Sequence, residues 1–249
     1  MFAALQDLAR QRLWPMLLVS AAMWLLLAFG HAGWAPGYLC RSNDAGWGAF
    51  VARSQSFLLP RLAGSMLMLG AMMLPLLMPA LETIVRRSLA HRRWRAPVLF
   101  LAGYLAVWLP LMQAMDMGAS VLRSVGGSRP GITVALAIGV ALAWQGTPWK
   151  RSFLNRSHAT PPLPAFGIAA EWGSFRFGLS HALCCVGSCW ALMLVPMVVE
   201  GGHLILMALV GLAIFWDQHA RRIEASANRF ALLAGVLLVA SAIGAAWLI

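Results

Sequence analysis

The chain has 249 residues, of which 61% are hydrophobic and 11% charged, with a mean hydropathy of +0.75. Soluble domains average about a quarter charged residues, so this composition excludes an ordinary soluble domain and indicates a polytopic membrane protein. The formal net charge of +11 sits mostly in short loops between apolar runs, where basic residues set membrane orientation, and no nucleic-acid partner is expected.

Crossing the hydrocarbon core takes roughly 20 helical residues. Segments 13–32, 60–81, 96–116, 130–147, 177–199, 202–217 and 229–249 approach that length. The first, LWPMLLVSAAMWLLLAFG, is long and lacks a small-residue cleavage site, so it reads as a transmembrane helix rather than a signal peptide. The second contains GSMLMLGAMMLPLLMPAL, in which Pro75 and Pro79 remove helical hydrogen bonds and free the carbonyls of Ala71 and Pro75. A kink there is expected to widen the space beside Met72 and Met73 and leave backbone oxygen available inside.

The third segment carries Tyr104, Trp108, Met112 and Asp116 at four-residue spacing. Gly126, Gly127, Pro130 and Gly131 break the chain before the fourth. Residues 148–176 read as a cytoplasmic connector, with SHATPPLPAFG irregular because three prolines deny it a helix. The fifth segment holds three of the four cysteines, and Gly201 and Gly202 allow a tight turn into a short sixth.

Orientation must alternate at each crossing. With the N-terminus cytoplasmic, the inner side holds fourteen basic residues, including Arg86, Arg87, Lys150 and Arg151, and the outer side five. This bias supports an all-α bundle of about seven transmembrane helices, forming one integral membrane domain in a bacterial inner membrane with the lipid bilayer as its first partner. No phosphate-binding glycine loop, zinc-protease signature or G-x-S-x-G element is present, so neither nucleotide-driven pumping nor hydrolysis is indicated.

The stretch HALCCVGSCWALM, residues 181–193, carries the chemistry. Residues four apart on a helix are neighbours, and His181, Cys185, Cys189, Met193 and Met197 follow that spacing. The row drifts about 40° per step, so only adjacent members can share an ion. His181 also precedes Cys184 by three residues, giving a second local pairing. Cys185 and Cys189 are expected near the bilayer midplane, level with Met72 and Met73 on the second segment. Soft Cys, Met and His ligands favour Cu(I). Zn(II) also suits Cys and His, and the surrounding methionines tilt the choice toward a copper ion.

The candidate metal residues are therefore Cys185, Cys189, His181, Cys184, Met193, Met72 and Met73, with plain apolar packing of Met and Cys as the competing reading. Asp116 and Met112, with Glu200 and His203 at the turn before the sixth segment, form a candidate outer entry for a cation. Interfacial charge is the alternative role for these acidic groups.

GAMMLPLLMPAL, YLAVWLPL, QGTPWKRSFL and GLSHALCCVGSCWALM together resemble the DUF2182 family of predicted metal-binding integral membrane proteins, over about residues 64–217. The resemblance implies a metal-binding membrane bundle. Members carry K-x-x-C-L-x-x-C after the fourth helix, whereas Phe153 and Ser157 stand here in place of the cysteines, beside Lys150 and Leu154. The family's acidic-basic pair after the sixth helix is replaced by Asp217 and Gln218. These departures remove the family's loop cysteines and leave the membrane cysteines and methionines comparable. Copper handling for transport, delivery or storage leads, in company with a metallochaperone or membrane enzyme complex. A non-catalytic subunit of a larger complex and thiol redox chemistry are the alternatives.

Overall fold

The computed structural model describes residues 14–29, 58–89, 94–127, 130–157, 164, 167–199 and 203–219. Among the described residues the regular structure is entirely helical: α1 Trp14–Phe29, α2 Leu58–Arg87, α3 Arg95–Gly126, α4 Pro130–Gln145, α5 Pro148–Ser157, α6 Gly167–Val198 and α7 His203–His219. The segment expected at 229–249 lies outside them, as do Glu200, Cys40, His31, His91 and His158.

Three helices are long and apolar enough to cross a membrane, over Leu62–Arg87, Arg95–Gly126 and Gly167–Val198. A fourth span is available if α4 and α5, which meet at a 68° bend, count as one broken crossing. The sequence expectation of a plain connector from residue 148 is corrected here. Thr147 Oγ1 accepts the Lys150 N–H at 3.4 Å, and Pro148 occupies the first helical position, where its missing N–H costs nothing. Helix α6 also begins ten residues earlier than the apolar run at 177, because hydropathy marks lipid-compatible sequence and not the length of a helix.

Helices α3 and α6 form the most extensive contact. They run in the same direction, from Phe100 against Gly178 at one end to Arg123 Nη2, which donates to the Met197 carbonyl at 2.6 Å, at the other. Their backbones touch because glycines face the contact: a methyl group on Gly178 would lie 2.1 Å from the Phe100 carbonyl oxygen, and one on Gly103 would lie 2.3 Å from that of Phe175. Small residues at such crossings let dispersion contacts and backbone proximity replace the hydrophobic drive that lipid removes.

Helix α2 opposes α3, with Gln113 Nε2 donating to Ser65 Oγ at 3.2 Å. Its Pro75 frees the Ala71 carbonyl, as the sequence indicates, but that oxygen is not left open inside. Ser20 Oγ and Trp24 Nε1 on α1 donate to it at 2.8 and 3.0 Å. The expected free backbone oxygen is thus a bolt between α1 and α2.

Two short helices run against α6. Helix α4 reaches Gly187, whose carbonyl accepts Trp144 Nε1 at 2.9 Å; α7 starts at His203, whose Nδ1 donates to the Pro196 carbonyl at 2.6 Å. With 16 and 17 residues, both stop about halfway down the 32-residue α6. Their ends meet at the level of Cys185 and Cys189.

Candidate metal centre

Cys185 and Cys189 lie one turn apart on α6, almost wholly buried, with their Sγ atoms 3.9 Å from each other. Met73 of α2 brings its Sδ within 4.0 Å of Cys185 Sγ. Tyr104 of α3, placed by the Gly103 contact, donates its hydroxyl to the same sulfur at 3.3 Å. Gln218 at the end of α7 supplies Nε2 at 3.9 Å. Four helices therefore converge on Cys185.

Neighbouring helices and local hydrogen bonds account for several positions of CCVGSC. Gly187 is small because the Phe153 ring of α5 occupies the space a side chain would fill, with ring carbon Cγ 2.3 Å from where a Cβ would stand. Ser188 Oγ and Cys189 Sγ both donate to the Cys185 carbonyl, at 2.8 and 2.9 Å, which holds the two polar groups against the helix. Cys184 is turned about 100° from Cys185 and is half-buried on another face. At 3.9 Å the Cys185 and Cys189 sulfurs stand well outside the about 2.05 Å of a disulfide. All three cysteines of this stretch are free.

The other candidates separate. Met72, next to Met73, points to α7, where a methyl group on Gly211 would touch its Cε at 3.6 Å. His181 sits in an aromatic box, with ring centroids of Phe100, Phe177 and Tyr104 at 5.8, 6.0 and 6.4 Å. Met193 is fully buried one turn beyond Cys189. Met112 and Asp116 lie 8 and 12 residues beyond Tyr104 on α3, about 12 and 18 Å along the axis. His203 holds the Pro196 carbonyl at the far end of α7.

Sequence reasoning missed the polar half of this region. Lys150 Nζ makes an ion pair with Asp217 Oδ2 at 2.6 Å, their side chains only 7% and 12% exposed. Lys150 Nζ also donates to Gln145 Oε1. In the sequence Asp217 stands out only as the acidic residue after the sixth segment, and Lys150 as one of the fourteen basic residues on the inner side. A signal existed: Lys150 is the only lysine among nineteen basic residues. Lysine's compact ammonium and arginine's planar fork are not interchangeable, so one lysine among arginines marks a position with its own demand on the shape of the cation.

Among the described residues no three His, Cys, Asp or Glu side chains gather as a metal would require. A three-ligand set must therefore draw on methionine, and Met73 is the one at hand. A family model described as copper chaperone, PpoB2, matches residues 62–245. The chain belongs to this copper chaperone family. No curated protein matches, and no solved structure does. The matched residues take in Met73, Tyr104, Lys150, Cys185, Cys189, Asp217 and Gln218, whereas α1 lies ahead of them. Membership in a copper chaperone family agrees with soft sulfur atoms gathered at the point where the helices converge.

Proposed function

We propose that this chain is a polytopic membrane copper chaperone that holds Cu(I) at Cys185, Cys189 and Met73 and delivers it to a partner. The observation that carries the reading is the buried sulfur cluster, with separations of 3.9 and 4.0 Å about Cys185. Metal–thiolate bonds are about 2.3 Å long, so sulfurs around one trigonal ion stand about 4.0 Å apart and sulfurs on a linear ion about 4.6 Å apart. The observed spacing suits the trigonal case. Thiols and a thioether are soft donors that select Cu(I) over harder cations.

Copper binding displaces the two thiol protons, which leave to solvent, and the ion with two thiolates carries one net negative charge. The neutral thioether completes the set without adding more. His181, Cys184, Met193 and Met72 are then neighbours of the site rather than ligands.

A bilayer setting is supported by the three long apolar helices and by outward-facing Leu18, Leu25, Leu26, Phe29, Leu183, Ile205 and Leu212. Exposed Trp94, Trp149 and Trp172 accompany the arginine-rich ends, as tryptophans do at a membrane interface. The charge bias supports a cytoplasmic side for those ends and for the N-terminus, in a bacterial inner membrane. The recipient is a membrane enzyme complex or a soluble metallochaperone.

The test is copper content. Protein purified without oxygen and loaded with Cu(I) is expected to hold one ion per chain, with sulfur-only ligation by X-ray absorption at the copper edge. The Cys185→Ser, Cys189→Ser double variant is expected to lose it. Unchanged stoichiometric binding in that variant overturns the assignment.

A further inference from the structure

We propose that the Lys150–Asp217 ion pair is an electrostatic element of the copper site, its ammonium end offsetting the negative charge that copper and two thiolates leave inside the bundle. This rests on the ligand assignment above. A pair buried only to brace two helix ends would be an expensive brace, because removing two charges from water costs several kcal/mol per ion and apolar residues of similar volume serve as well. Its location supplies another purpose.

Three contacts place the pair against the sulfurs. Asp217 adjoins Gln218, whose amide reaches Cys185 Sγ at 3.9 Å. Lys150 lies on the same short helix as Phe153, whose ring fills the notch at Gly187 between the two cysteines. Gln145, which accepts from the same ammonium, follows Trp144, whose indole donates to the Gly187 carbonyl between the two cysteines at 2.9 Å. Asp217 and Gln145 fix the ammonium in place. In a low-dielectric interior such a fixed charge is felt far more strongly than it would be in water.

The charges have opposite signs, and this separates an electrostatic role from a bracing one. Lys150→Met removes the cation and leaves the carboxylate facing the loaded site, so Cu(I) affinity is expected to fall at least about tenfold. Asp217→Asn keeps the shape and leaves the cation uncompensated, so affinity is expected to rise by about the same factor. Lys150→Arg, which keeps the charge on a larger head, is expected to retain more affinity than Lys150→Met. Affinities are read at one pH by competition with a chromophoric Cu(I) chelator, in the full chain in detergent.

A pair that merely braces the helices predicts loss in both Lys150→Met and Asp217→Asn, and shifts of the same sign, or no shift in either, overturn the proposal. Gln218→Glu offers a route that leaves the ion pair intact. A carboxylate introduced beside Cys185 is expected to weaken Cu(I) about tenfold, while Gln218→Met does not. Equal affinities for those two variants also overturn it. Failure of the ligand assignment is recognised separately: the parent then binds no copper, or binds it equally without Cys185 and Cys189.

Discussion

Met72 and Met73 are adjacent in sequence and equally buried, yet successive residues on a helix point about 100° apart and meet different neighbours. One packs on α7 at Gly211, the other reaches Cys185. Hydropathy and spacing cannot distinguish them, because the choice depends on the rotation of α2 about its axis, which contacts with α1 and α3 determine. The difference can be measured. Met73→Leu keeps the volume while removing the thioether, and is expected to weaken Cu(I) by about tenfold or more with little change in thermal stability, since such swaps usually cost under about 1.5 kcal/mol. Met72→Leu is expected to leave copper affinity unchanged. Equal loss from both would place the thioether ligand elsewhere.

Among the helices, the crossing of α3 and α6 decides where the site lies. Gly103 and Gly178 bring the backbones together, and Tyr104, the next residue on α3, is thereby set against Cys185. Gly178→Ala pushes a methyl group into the Phe100 carbonyl and is expected to destabilise the detergent-solubilised bundle by about 1–3 kcal/mol, seen as a lower midpoint of thermal unfolding. Gly139→Ala on α4 meets nothing within 4 Å and is expected to be neutral or stabilising by up to about 1 kcal/mol, because alanine is the better helix former. Comparable losses from both would mean that the crossing tolerates separation. Helix α5 shows the limit of reading such elements from hydropathy. Its polar, basic sequence lacks an apolar run, so it reads as a loop. Thr147 and Pro148 mark its start only when caps are weighed ahead of hydrophobicity.

The all-helical class and the apolar core of each long helix were legible because a chain this poor in charge has few alternatives in a bilayer. Helix ends were less legible, since α3 and α6 both continue about ten residues past their apolar runs. Of the candidate site, the approach of Cys185 to Cys189 was legible from their spacing on one helix. Tyr104, Gln145, Lys150, Asp217 and Gln218 were not, because they arrive from other helices whose meeting depends on tertiary packing. Orientation remains a property of the assembled bundle and can be tested as such. In intact cells carrying the chain with Cys40→Ser as background, Val125→Cys at the end of α3 is expected to react with a membrane-impermeant maleimide, and Ser88→Cys after α2 is not. The reverse pattern would invert the bundle.

The bolt at Ala71 has a consequence for biosynthesis. Helix α1 precedes the residues matched by the family model, yet Ser20 and Trp24 satisfy an oxygen that α2 exposes when Pro75 interrupts its ladder. During synthesis α1 emerges first and carries both donors before their acceptor exists. When α2 follows into lipid, its broken turn finds those donors next door, so the first hairpin can mature before Cys185 and Cys189 have been translated. A fragment begun at α2 would instead present a bare carbonyl to hydrocarbon, an arrangement that lipid penalises by several kcal/mol.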